Sequence, residues 1–250
     1  MDIKTTDIKE LFEAGVHFGY SRTRRHPTAV PFIFSTKDRS DIFDLEGTVK
    51  RIETAREFVR TLAQSGKQLL FVGGKHEAMA IVKEAAVRAA SPYVASRWIG
   101  GTLTNFKNIR KRIDRLETLM KERDEGLLEK YTKKERLLID REITELLARF
   151  GGLVKMAELP SALFVVDTRR ENTAVQEANQ LGIPVIGLSS SDCDFSLAQY
   201  PIPANDTSVR SIRFIVDAIA SAYEEGKTIP QEKSETRNSK SETNGLKTAK

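Results

Sequence analysis

Gln68-Leu69-Leu70-Phe71-Val72-Gly73-Gly74 is an unbroken apolar run that stops at two glycines. Successive side chains of a strand point to opposite faces of its sheet. A run that is apolar throughout is therefore buried on both faces. Helical spacing over residues 76–90 follows it. The pattern recurs twice: Ala162-Leu163-Phe164-Val165-Val166-Asp167 precedes a helix at 172–180, and Ile183-Pro184-Val185-Ile186-Gly187-Leu188 is a third run. Upstream, residues 47–63 place Val49, Ile52, Phe58, Val59 and Leu62 on one helical face, and a helix at 208–225 closes the core. Residues 31–34 and 42–45 read as short extended segments. Buried strands separated by helices predict an α/β fold with a parallel sheet flanked by helices.

Residues 105–150 break that rhythm. Phe106, Ile109, Ile113, Leu116 and Met120 are spaced 3, 4, 3, 4, and Ile139, Ile143, Leu146 and Phe150 are spaced 4, 3, 4. Such narrow stripes are the a/d seams of a coiled coil rather than the broad face of a core helix. A polar turn region at 123–132 separates them. The prediction is an antiparallel coiled-coil hairpin at 105–150, inserted into one globular domain made of 1–104 and 151–230. Residues 231–250 hold five Lys/Arg, three Glu and almost nothing apolar, and are expected to be a disordered polar tail.

The chain has 250 residues, 40 Lys and Arg against 35 Asp and Glu, and a net charge of +5, which favours anionic partners only weakly. One cysteine, Cys193, excludes an intrachain disulfide and fits a reducing compartment. The first residues carry no signal-peptide pattern, and no apolar stretch nears the length of about 18 residues that a membrane span needs. A cytoplasmic protein without a membrane partner is expected.

Charge is concentrated in two places. Arg97-Trp98-Ile99-Gly100-Gly101-Thr102-Leu103-Thr104-Asn105 contains the sole tryptophan and leads into Phe106, Lys107, Arg110, Lys111, Arg112 and Arg115, with Asp114 the one acid among them. Cations beside a flat aromatic and two residues without side chains suit close approach to a polyanion. Arg22, Arg24, Arg25 and His26, with Lys37 and Arg39, form a second patch. Two unlike cationic elements on one fold predict RNA binding by phosphate neutralisation. Trp98 and Phe106 are open to stacking on bases, although burial of Trp98 in the core is the simpler use of it.

Nothing points to catalysis. Gly73-Gly74-Lys75 lies between a strand and a helix, where phosphate loops occur. It lacks the G-x-x-x-x-G-K-[ST] spacing, and the dinucleotide G-x-G-x-x-G is absent as well. It reads as a tight turn with an exposed lysine, which with His76 can still reach an RNA phosphate. His17, His26 and His76 match no metal-ligand spacing. Cys193 reads as a structural loop thiol, and Asp167 as a locally paired or capping carboxylate. No catalytic residue, metal site or cofactor is expected.

Taken in order, these motifs resemble a known family, the second protein of the small ribosomal subunit (S-two) in its bacterial or organellar form. The likeness rests on Leu11-Phe12-Glu13-Ala14-Gly15-Val16-His17-Phe18-Gly19, on Gln68 to Gly74 between two lysines, and on Arg97 to Asn105. It continues through Leu159-Pro160-Ser161-Ala162, Glu177-Ala178-Asn179, Gly182-Ile183-Pro184-Val185, Asn205-Asp206 and Arg210-Ser211-Ile212, so that it spans about residues 7–226. The resemblance implies a flavodoxin-like sheet with a protruding coiled-coil hairpin. It also implies a structural, non-enzymatic role on small-subunit ribosomal RNA near the head–body junction. Neighbouring small-subunit proteins would be partners, with the large S-one protein among them where an organism has one. The place would be the ribosome, in the cytoplasm or in an organelle's stroma or matrix.

Family RNA-facing positions carry over to His17, Arg24, Arg97, Asn105, Lys107 and Arg110. With the charge pattern, the full expected set is His17, Arg22, Arg24, Arg25, Lys37, Arg39, Lys75, Arg97, Asn105, Lys107, Arg110 and Lys111. Departures from the family fall at Tyr20 (histidine in the family), Arg25 (tryptophan), and Thr28 and Val30 (lysines), so the N-terminal contact is expected to be reshaped. At Ser189–Asp192 and Ala204–Thr207 acids are missing, so any cation held by those loops would be held less well. Two other readings stay open: a nucleotide-binding α/β enzyme or regulator using the Gly73-Gly74-Lys75 turn, and a coiled-coil adaptor acting through 105–150 alone.

Overall fold

The computed structural model describes residues 5–228; the expected tail at 231–250 lies outside them. Helix α1 (Thr5–Glu13) leads into a three-stranded antiparallel sheet of β1 (Phe18–Ser21), β2 (Ile33–Lys37) and β3 (Ser40–Phe43), in the order β1-β3-β2. After α2 (Leu45–Gln64) comes a second sheet of β4 (Leu69–Val72), β5 (Tyr93–Val94), β6 (Ala162–Val166), β7 (Val185–Ser189) and β8 (Tyr200–Pro203). All four of its pairings are parallel, and the order is β5-β4-β6-β7-β8. The remaining helices are α3 (His76–Arg88), α4 (Phe106–Asp124), α5 (Lys133–Phe150), α6 (Asn172–Gln180) and α7 (Val209–Thr228).

The apolar runs are buried on both faces, as their composition demands. In β4, Leu69 and Phe71 pack with α2, α3 and α7, whereas Leu70 and Val72 pack with α4, α5 and α6. In β6, Phe164 and Val166 face the first layer, and Leu163 and Val165 the second. Each such side chain contributes about 1.5–3 kcal/mol on full burial. An exposed ion pair such as Arg123 with Asp124 contributes at most about 1 kcal/mol. Burial of the strands therefore sets the architecture.

Chain punctuation follows local chemistry. The Asp44 carboxylate accepts from the Glu46 amide at 3.0 Å and starts α2. Gly126, with φ +73°, ends the turn after α4. Thr132 and Glu135 cap each other's backbone amides at the start of α5. Between the two long helices, Ile109, Ile113, Leu116 and Leu119 are buried with Ile143, Leu146 and Phe150. Phe106, Met120 and Ile139 are half-buried beside them, so the last buried position of the α4 seam is Leu119 rather than the expected Met120. The main backbone contacts of α4 are with α5 and the turn that joins them.

Candidate nucleic-acid interface

In a parallel sheet every loop that leaves a strand's carboxyl end emerges on one edge. Here that edge gathers Gly73-Gly74-Lys75 after β4, Arg97 after β5, Asp167 to Arg170 after β6, and Ser190 to Asp194 after β7. Both cationic patches meet it.

The loop carrying Arg97 is shaped by one buried carboxylate, Glu177. This residue lies on the apolar face of α6 among Ala174, Val175 and Ala178. Its Oε1 accepts from the Trp98 indole at 3.1 Å and the Gly101 amide at 2.8 Å. Its Oε2 accepts from the Leu103 amide at 3.0 Å, and from the Thr104 amide and hydroxyl, each at 3.1 Å. Burial opposes ionisation, but these donors outweigh it and hold the carboxyl below the usual glutamate range. Gly101 takes φ +87°, a conformation glycine adopts without strain. Trp98 is thus an anchor: it is buried, and its one polar atom is satisfied. Sequence reading missed Glu177. The available signal was a lone carboxylate on the buried stripe of α6.

The anchored loop leaves Arg97, Thr104 and Asn105 exposed. It passes into a helix start without a side-chain cap and without an acid in its first turn, where Lys107 sits instead. A cation there opposes the helix dipole by about 0.3–1 kcal/mol. Lys107, Lys111 and Arg112 are exposed and, among the described residues, unpaired. Arg110 differs from expectation. It is half-buried, binds Asp114 and Glu117, and donates to the Val154 and Met156 carbonyls at 3.1 and 3.3 Å, tying α4 to the segment after α5. Arg170, which was not among the expected site residues, is exposed and lines a cleft of about 470 Å³ with Arg97, Trp98, Gly100 and Glu171.

The second patch divides in the same way. Arg22, Lys37 and Arg39 are exposed. Arg24 is half exposed, stacks over the Tyr20 ring at 4.2 Å and pairs with Asp192 at 3.0 Å. Arg169 reaches the same Asp192 oxygen at 2.7 Å. Arg25 is turned inward, forked onto the fully buried Asp41 and onto Thr36. His17 is buried under Phe12, with ring centroids 4.4 Å apart and planes within 5°, and burial lowers its pKa, so it adds no charge at neutral pH.

Lys75 corrects the sequence reading most plainly. It is not exposed but 7% accessible, and its ammonium donates to Asp206 at 2.9 Å and Asp167 at 3.2 Å. A buried ammonium without partners would be costly; two carboxylates make it tolerable and raise its pKa against the burial. Asp206, buried beside Asp167, is itself pushed up to about 7. The neighbouring Gly74 amide donates to Glu171 at 3.2 Å. A Cβ at Gly74 would lie 2.6 Å from the Ser96 carbonyl oxygen, so this glycine serves close packing of two loops. The lysine that a phosphate loop would offer to its ligand is thus committed to the chain's own carboxylates. Cys193 is fully buried and burial pushes its thiol up to about 12, which removes it as a nucleophile. Among the described residues no three His, Cys, Asp or Glu side chains are grouped as metal ligands, and no helix is long and apolar enough to cross a membrane.

Residues 11–226 match the family described as Ribosomal protein S2. The small ribosomal subunit protein uS2 of Coprothermobacter proteolyticus is 44% identical over 220 residues, covering 88% of this chain and 82% of the relative. That of Syntrophobacter fumaroxidans is 44% identical over 220 residues, covering 88% and 80%. That of Dictyoglomus thermophilum is 42% identical over 228 residues, covering 91% and 93%.

Proposed function

Because the chain belongs to the ribosomal protein S2 family, it is a structural constituent of the small ribosomal subunit and not an enzyme, and we propose that small-subunit ribosomal RNA holds it along the carboxyl edge of its parallel sheet. The observation that carries this reading is Arg97, exposed and unpaired among the described residues, on a loop fixed by five hydrogen bonds to Glu177. A cation on a preordered loop loses little conformational freedom when a phosphate arrives. Lys107, Lys111 and Arg170 extend the face on one side; Arg22, Arg24, Lys37 and Arg39 extend it on the other. Lys75, Arg25, Arg110 and His17 support this face from inside the fold and make no phosphate contact of their own in this reading.

The strand order, renumbered within the sheet, is 2-1-3-4-5, and we read it as flavodoxin-like. Residues 105–150 are read as a coiled-coil arm inserted between two parts of one globular domain, 1–104 and 151–230. The exposed Leu137 and Leu138 give that arm an apolar surface for neighbouring small-subunit proteins, the large S-one protein included where one exists. The protein then works within the ribosome, in the cytoplasm or in an organelle.

Sedimentation of a gentle lysate through sucrose at low salt tests the assignment. The protein is expected to travel with small subunits, and to be released from its RNA as salt rises, because each neutralised phosphate returns counterions to solution. Recovery only among free soluble proteins at low salt would refute it.

A further inference from the structure

A second cleft, of about 600 Å³, lies against the first, and Gly100 borders both. Its floor is apolar, made by Ile109 and Leu146 with Ile99 at the side. Asn105 and Asn108 stand on its wall, both exposed, and neither side chain makes a hydrogen bond within the described residues. Lys111 and Arg112 form a cationic rim. The one acid there, Glu142, is already bound by Arg115 at 3.4 Å.

Apolar floor, free amides and cationic rim answer the three parts of a nucleotide: the face of its base, the edge of its base and its phosphate. Proteins recognise RNA sequence chiefly on unpaired bases splayed out of the helix. A carboxamide offers a donor and an acceptor, which match the acceptor N1 and donor N6 of an unpaired adenine, the edge that dimethyl sulfate attacks. We propose that this cleft receives one unpaired adenine of the RNA, with an adjoining phosphate seated between Arg97 and Arg170 across Gly100. The inference rests on the RNA-binding reading above and specifies it. Gly100 suits a crossing strand: a Cβ there would meet nothing within 4 Å, so the position is open to a ligand and tolerant of substitution in the free protein.

The test uses small subunits that lack this protein, reconstituted with the full chain or its variants and probed with dimethyl sulfate at unpaired adenines. Wild-type protein should shield at least one adenine. Among subunits that have taken up the protein, Asn105→Ala combined with Asn108→Ala should raise reactivity at that adenine by about fivefold or more, the lower end of what one bidentate base contact contributes. Gly100→Leu, which fills the ridge without touching the core, should expose the same adenine. Normal joining with every adenine unchanged in both variants would overturn the adenine site and leave the RNA-binding reading standing. Failure of the wild-type chain to join subunits would overturn both.

Discussion

Glu177 shows how one side chain fixes a surface it does not belong to. It collects donors from Trp98, Gly101, Leu103 and Thr104, so the loop that displays Arg97 has a single shape. Replacing it with alanine strands several donors, some buried, and should cost about 3 kcal/mol of stability, read from urea unfolding with Trp98 fluorescence as the probe. Because its carboxyl is held below the ordinary value of 4.5, its contribution is complete above that pH and fades as pH falls through the lowered value. The gap between wild type and Glu177→Gln should therefore narrow in acid; a gap independent of pH would show that the charge is not what the loop needs. Such residues were poorly legible in the sequence. Composition marks Lys75 and Arg110 as cations but not where their charge goes, because Asp206 lies 131 positions from Lys75 and the Val154 carbonyl 44 from Arg110. Exposed cations such as Arg97 and Lys107 were legible, since among the described residues nothing competes for them.

At the scale of elements, the three long apolar strands and most helices were readable because burial on both faces leaves a composition no other element has. The helix expected at 172–180 is α6, Asn172–Gln180. Edge strands β5 and β8 were not readable. Two residues are too few for a pattern, and β8 contains Pro201 and Pro203, which strands tolerate only at an edge. The β2–β3 hairpin carries a different lesson. Its two turn residues, Asp38 and Arg39, have φ of +50° and +65°, where Asn-Gly is the relaxed choice. Arg39→Gly should stabilise the protein by about 1 kcal/mol, seen as a rise in thermal midpoint, and weaken association with ribosomal RNA. A more stable variant with undiminished association would remove Arg39 from the interface.

Over the whole molecule, charge is sorted by use. Cations drawn inward, Lys75 and Arg25, meet buried carboxylates and complete the fold, whereas Arg97, Lys107 and Lys111 are left exposed. Tyr20 and the segment after it pack onto the loops where an enzyme would keep its ligand, with the Tyr20 amide donating to Ser191 at 2.9 Å and the His26 amide to the Ser191 carbonyl at 2.8 Å. The most direct test removes only outward charge: Arg97→Ala, Lys107→Ala and Lys111→Ala in one chain, with Arg110 kept because it holds α4 to the core. Incorporation of this variant into small subunits, measured in competition with wild type, should fall by about tenfold or more while its circular dichroism stays unchanged. Incorporation equal to wild type, with the same unchanged spectrum, would contradict the placement of the RNA face.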